Sequence, residues 1–129
     1  MFFIKFKSIF LIISFFSSFP TLHAQNKPDT SKIAFSLKDF TEDGMRINAT
    51  KREGYINYEF CIPGNDETLK EVMSIDSTVG AYKTSKGRSG CSDSEWLCIG
   101  SSHQKNFKRV ILELTKLNYT RKISETFWE

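Results

Sequence analysis

Residues 85–102 read SKGRSGCSDSEWLCIGSS, and the way this stretch divides decides the fold. Its second half, Glu95–Ser101, is an apolar run short enough for a strand. Leu97 and Ile99 fall on one face and Trp96 and Cys98 on the other. The first half is polar and carries Gly87 and Gly90, which can adopt backbone conformations closed to other residues. It reads as a long loop over residues 86–94. The weak strand signal at 79–84 makes the whole a β-hairpin whose second arm is a central strand.

Working outward, residues 55–63 (YINYEFCIP) give the clearest strand of the chain. Ile56, Tyr58, Phe60 and Ile62 form one face; Tyr55, Asn57, Glu59 and Cys61 form the other. Pro63-Gly64 ends it. Asn65 or Asp66 can cap a helix over 66–75, whose acidic first turn suits the positive end of a helix dipole. Leu69, Val72 and Met73 give that helix its apolar face. A second helix begins near Lys105, with Phe107, Val110, Ile111, Leu114 and Leu117 as its stripe and Asn118 as a left-handed end. Ile123 and Phe127 mark a last strand within 121–128.

The resulting order is strand, helix, strand, strand, helix, strand. It predicts an α+β fold, a ferredoxin-like βαββαβ two-layer sandwich with an extra N-terminal segment. Right-handed crossovers put the first and third strands at the centre. One conflict arises. Residues 45–50 alternate like a strand, and a hairpin turn at 51–54 would pair them with 55–63, on the edge the last strand needs. Residues 33–40 fit either a strand or one helical face.

The N-terminal 24 residues have the layout of a cleaved secretory signal: Lys5 and Lys7, the apolar run IFLIISFF at 9–16, Pro20, then Leu22-His23-Ala24. An uncleaved anchor is the alternative, although the run falls short of the ~20 residues a span needs. The expected division is a signal peptide at 1–24, a flexible leader at 25–32 and one domain at 33–129. The expected location is secreted or periplasmic, with no stable membrane anchor after cleavage. The full chain of 129 residues carries a net charge of +3, but the mature part keeps 16 Lys and Arg against 15 Asp and Glu. A surface so nearly neutral offers nucleic acid no electrostatic steering.

Export permits disulfides. Cys61, Cys91 and Cys98 allow three single pairings, each leaving one thiol over, and Cys61–Cys98 and Cys61–Cys91 are the two that the strand layout makes conceivable. The faces assigned above favour the first, and three unpaired, buried thiols are the alternative to both. The Cys-x6-Cys spacing and a single mature histidine give no metal signature, and nothing calls for a cofactor. Lys86 and Arg88 among the loop glycines could bind an anion, but the phosphate-loop spacing is absent and a strand follows; a solvated hairpin loop is the plainer reading. A Cys–His dyad with His103 needs the end of the strand to fold back, and no catalytic residue is assigned. Tyr55 and Trp96, on a sheet face without helices, form a partner-binding surface unless residues 33–50 cover it. The sequons at Asn48 and Asn118 matter only in a glycosylating pathway.

The run Leu114-Thr115-Lys116-Leu117-Asn118-Tyr119, followed by Ile123-x-Glu125, resembles the closing helix and strand of subtilisin-propeptide and related peptidase-inhibitor domains. That resemblance covers about twenty residues. It implies a ferredoxin-like fold, export, and an exposed sheet face with a C-terminal tail set against a protease. The whole chain also resembles the many small exported bacterial proteins, a likeness that implies no activity. The expected function is a small exported, non-enzymatic binding or interaction domain of unknown partner, a protein partner being one option. The alternatives are a stand-alone peptidase inhibitor, with Phe127-Trp128-Glu129 as its tail, and a thiol-dependent enzyme or redox protein using Cys91.

Overall fold

The computed structural model describes residues 26–47 and 53–127. Residues 1–24, expected to be a signal peptide, and the Asn48 sequon, Trp128 and Glu129 lie outside the described residues. Four strands, β1 (Asn57–Pro63), β2 (Gly80–Tyr82), β3 (Glu95–Ser101) and β4 (Ser124–Glu125), join two helices, α1 (Asp66–Ile75) and α2 (Phe107–Thr115). The sheet runs β2-β3-β1-β4 with every neighbouring pair antiparallel. The fold is α+β, and β1 and β3 hold the centre.

Local chemistry accounts for the helices. Asn65 caps α1, its side chain accepting from the Thr68 amide at 2.8 Å, ahead of Asp66 and Glu67. α2 starts after Asn106 in the left-handed region (φ 57°) and closes at Lys116 in a helical conformation. The left-handed residue thus stands before the helix, whereas Asn118 was expected to provide one after it. Lys32 caps the far end, its Nζ donating to the Thr115 and Leu117 carbonyls at 2.9 and 3.0 Å. A cation is favourable at that negative helix end.

Strand register corrects one expectation. Phe60 pairs with Cys98 and Cys61 with Leu97, and directly paired residues share a face. Tyr58, Phe60, Ile62 and Cys98 therefore form one core with Val72 of α1 and Phe107, Ile111 and Leu114 of α2. Cys61, Leu97 and Ile99 form a second cluster on the opposite side. Cys98 shares the face of Phe60 and cannot reach Cys61 through the sheet. The disulfide joins Cys61 to Cys91 (S–S 2.04 Å, Cα–Cα 5.5 Å), and Cys98 is a buried free thiol.

The N-terminal segment resolves the competition for the edge of β1. It forms one-turn 3-10 helices at Thr30–Lys32 and Leu37–Asp39. Beyond them, among the described residues, its strand pairing is limited to single bridges, Ile33 to Ile123, Phe40 to Arg46 and Arg46 to Gly54. The edge goes to β4, where Tyr58 pairs with Glu125. Arg46, 5% exposed, fastens the segment to β4 by two bonds to Glu125, Nη1–Oε2 at 2.9 Å and Nη2–Oε1 at 3.1 Å. Phe35 and Phe40 pack on the helix-side core through Phe107, with Phe40 and Phe107 centroids 5.1 Å apart. Residues 26–32, expected as a flexible leader, hydrogen-bond to the end of α2 through Asn26, Asp29 and Lys32.

A polar network is sealed into this core where β1, β3 and the end of α1 meet. The Tyr58 hydroxyl donates to Asp76, which is fully buried. Thr78 donates to the other Asp76 oxygen from its amide at 3.0 Å and its hydroxyl at 2.7 Å, and Gln104 Nε2 reaches it at 3.2 Å. Each bond offsets part of the cost of burying a carboxylate. Burial, and then the Asp76 charge, push the Tyr58 hydroxyl well above the usual phenol range.

Candidate functional site

After β2 the chain crosses the helix-free face of the sheet before returning as β3. Gly87 (φ 57°) and Gly90 (φ 66°) turn it in the left-handed region. Gly87 is also where the backbone of this loop comes directly against the sheet. A Cβ there would stand 2.4 Å from Glu59 Oε2 and 2.8 Å from Leu97. Two further attachments hold the loop: the Cys91–Cys61 disulfide, and Ser89, whose amide and hydroxyl donate to Glu59 Oε2 at 3.0 and 2.9 Å.

Between this loop and the residues following β4 lies a cleft of about 380 Å³. Leu97 and Ile99 form its floor with Glu59, while Gly87, Arg88, Tyr82, Thr126 and Phe127 wall it. Glu59 is 2% exposed. The Arg88 guanidinium lies over the Phe127 ring, 5.4 Å from its centroid, at the rim. Thr126 is fixed by its amide, which donates to the Asn57 carbonyl at 2.9 Å. This volume falls in the range of small-molecule sites, and an apolar floor with few polar groups is their usual composition.

A larger depression of about 630 Å³ opens at the other end of β1, lined by Gly64, Asn65, Ser92, Ser94, Glu95 and Arg121. It is polar and shallow. Its charges satisfy each other, Arg121 bonding Glu95 Oε1 at 2.9 Å. The Ser92 amide, with Arg121 beside it, holds Glu95 below the usual carboxylate range. The smaller, apolar-floored cleft has the better chemistry for holding a ligand.

The expected site residues do not all meet. Arg88 lines the cleft. Lys86 is in solvent, 3.5 Å from Asp93 with both side chains largely exposed, where an ion pair contributes little. Trp96 pairs with Ile62, so it stands on the helix side of the sheet, with Lys83 Nζ 4.3 Å above its ring. Tyr55 precedes the opposite end of β1 and stacks on His103 at 3.9 Å. Tyr55 and Trp96 therefore do not form one surface. The helix-free face is not overlain by residues 33–47, which pack into the helix-side core; the 83–94 loop crosses it instead. Glu59, which the sequence places only at the rim of the Tyr55 and Trp96 surface, lies in the cleft itself, and Leu97 and Ile99 were not expected in a site at all. A lone acid inside the apolar run of a central strand was the available signal for Glu59.

The thiol chemistry expected of Cys91 has no free thiol behind it, because Cys91 is bonded to Cys61. Cys98 is fully buried, and burial, with the Asp76 charge adding, pushes its thiol up to about 12. A thiol at that value offers little nucleophilic thiolate near neutrality. Among the described residues, no group of three or more His, Cys, Asp or Glu could hold a metal ion, and no helix is long and apolar enough to cross a membrane. In comparisons with known proteins, no family model, curated protein or solved structure matches the chain.

Proposed function

We propose that this is a small exported, non-enzymatic binding domain whose ligand sits in the cleft on the helix-free face. The observation that carries the reading is the loop held over that face. A disulfide, a glycine contact and two Ser89 bonds fix the loop against β1 and β3, yet leave about 380 Å³ open beside it. Preorganised walls reduce the ordering cost of binding. The disulfide is consistent with an oxidising, extracytoplasmic location, and with the signal-like N-terminus it supports a secreted or periplasmic protein. The strand order β4-β1-β3-β2 supports the ferredoxin-like arrangement. Screening chemically diverse fragments against the oxidised protein by amide chemical shift tests the function. The expected result is that Gly87, Leu97, Ile99 and Thr126 move together; fragments that shift only amides elsewhere would overturn it.

Peptidase inhibition is the second reading, favoured by the half-exposed Phe127 ring just beyond β4. It expects loss of protease inhibition when residues 126–129 are deleted. Unchanged inhibition by the truncated protein would remove this reading.

A further inference from the structure

We propose that the ligand of this cleft is a small organic ammonium ion, its protonated amine meeting Glu59 and its apolar body resting on Leu97 and Ile99. The proposal rests on the cleft being the binding site and adds the charge and chemical class of what enters it.

The two carboxylate oxygens of Glu59 are unequally bonded. Its side chain is 2% exposed, and its two hydrogen bonds both come from Ser89 to Oε2. Among the described residues none reaches Oε1, and no Lys or Arg lies within ion-pair distance of it. A buried carboxylate without a counter-charge is costly, and two neutral donors on one oxygen offset only part of that cost. The Arg88 guanidinium, which also lines the cleft, lies over the Phe127 ring.

A second polar group points to the same ligand. Thr126 Oγ1, another atom of a cleft-lining residue, is buried and lacks a hydrogen-bond partner. Ser124 pairs with Glu59, so Thr126, two residues further on, projects to the face that Glu59 occupies. An ammonium group has three donors and no acceptor. Glu59 Oε1 and Thr126 Oγ1 are both acceptors, and the floor beside them, Leu97 and Ile99, is apolar. An anionic ligand would meet the Glu59 carboxylate instead, and a purely apolar one would leave both acceptors unbonded.

Three probes of matched size decide the matter: phenethylammonium, 2-phenylethanol and phenylacetate, titrated into the oxidised protein with amide shifts as the readout. The expected result is that the ammonium moves Gly87, Leu97, Ile99 and Thr126 and binds at least about tenfold tighter than the alcohol, with phenylacetate weaker than both. Glu59→Gln is expected to bring the ammonium to the level of the alcohol while leaving the alcohol unchanged. Thr126→Val, which keeps Glu59, is expected to weaken the ammonium alone by a few-fold, and it serves if Glu59→Gln does not fold. Equal binding of ammonium and alcohol at these amides would overturn the ammonium assignment and leave the cleft reading standing. No shift at these amides with any of the three probes would overturn both.

Discussion

On the helix side of the sheet, Tyr58, Phe60, Ile62 and Cys98 are buried under two helices and an N-terminal segment. On the other side, Cys61 and Leu97 are buried by little more than one loop, and Ile99 is only partly covered. The first face owes its order to packing, where many side chains share the load. The second owes it to a few discrete attachments, one of them covalent. A face held by few attachments can leave a cleft open, which close packing does not permit. The difference explains why the cleft, the proposed ligand site, lies on the side with less core.

The sharpest test is the same kind of truncation on each face. Phe60→Ala, at the centre of the helix side and fully buried, is expected to cost about 3–5 kcal/mol in denaturant unfolding. Ile99→Ala on the other face is expected to cost roughly 1–2 kcal/mol, since part of that side chain already meets solvent. Equal losses would erase the distinction. Next comes the covalent attachment. Replacing Cys61 and Cys91 together by Ser opens a loop of sequence separation 30 and is expected to cost about 3–4 kcal/mol by chain entropy. Amide shifts should change around Gly87 and Leu97 and stay near native at Phe60 and Ile111. Disturbance spread evenly over both faces would show that the loop is not separable from the core.

A smaller effect separates the two loop glycines. Gly87→Ala and Gly90→Ala share a left-handed backbone, which costs an alanine about 1 kcal/mol. Only at Gly87 would the new methyl strike Glu59 and Leu97; at Gly90 nothing lies within 4 Å. Gly87→Ala should therefore be worse by about 1 kcal/mol or more, as read in thermal melts, and equal melts would deny the close approach. The last effect is silent at neutral pH. The Cys98 thiol is raised from 9.0 to about 12 in the folded protein, so the folded state holds that proton more tightly. Its contribution is complete below pH 9 and is lost as pH rises from 9 towards 12. Tyr58 and Tyr119 are displaced in the same direction. Stability measured from pH 8 to 11 should fall more steeply in the native protein than in Cys98→Ala; parallel curves would contradict the burial of this thiol.

Much of the frame could be read from the chain. The strand at 55–63 alternates clearly, and α1 has both a cap and an acidic first turn. The faces of β3 could not be read, because Trp96 and Cys98 are as apolar as Leu97 and Ile99. Alternation identifies a strand but not which side is inward when both sides are apolar. Only the pairing of Phe60 with Cys98 decides it, and that error carried the disulfide and Trp96 with it. The cleft was hidden for a related reason. Glu59 looks like a solvent-facing acid until the loop, thirty residues downstream, is seen to close over it. Residues 33–40 stayed ambiguous because they form neither strand nor long helix; Arg46 and three phenylalanines fix them by contacts far away in sequence.

The Arg46–Glu125 pair joins positions 79 residues apart, and the Ile33–Ile123 bridge spans still more. A nascent chain emerging from its N-terminal end cannot complete either contact until β4 has been made. Arg46 and the phenylalanines around it must wait as an open thread, because the partner that holds them arrives late. The seam that joins residues 33–46 to β4 is therefore among the last parts of the fold that synthesis allows to close.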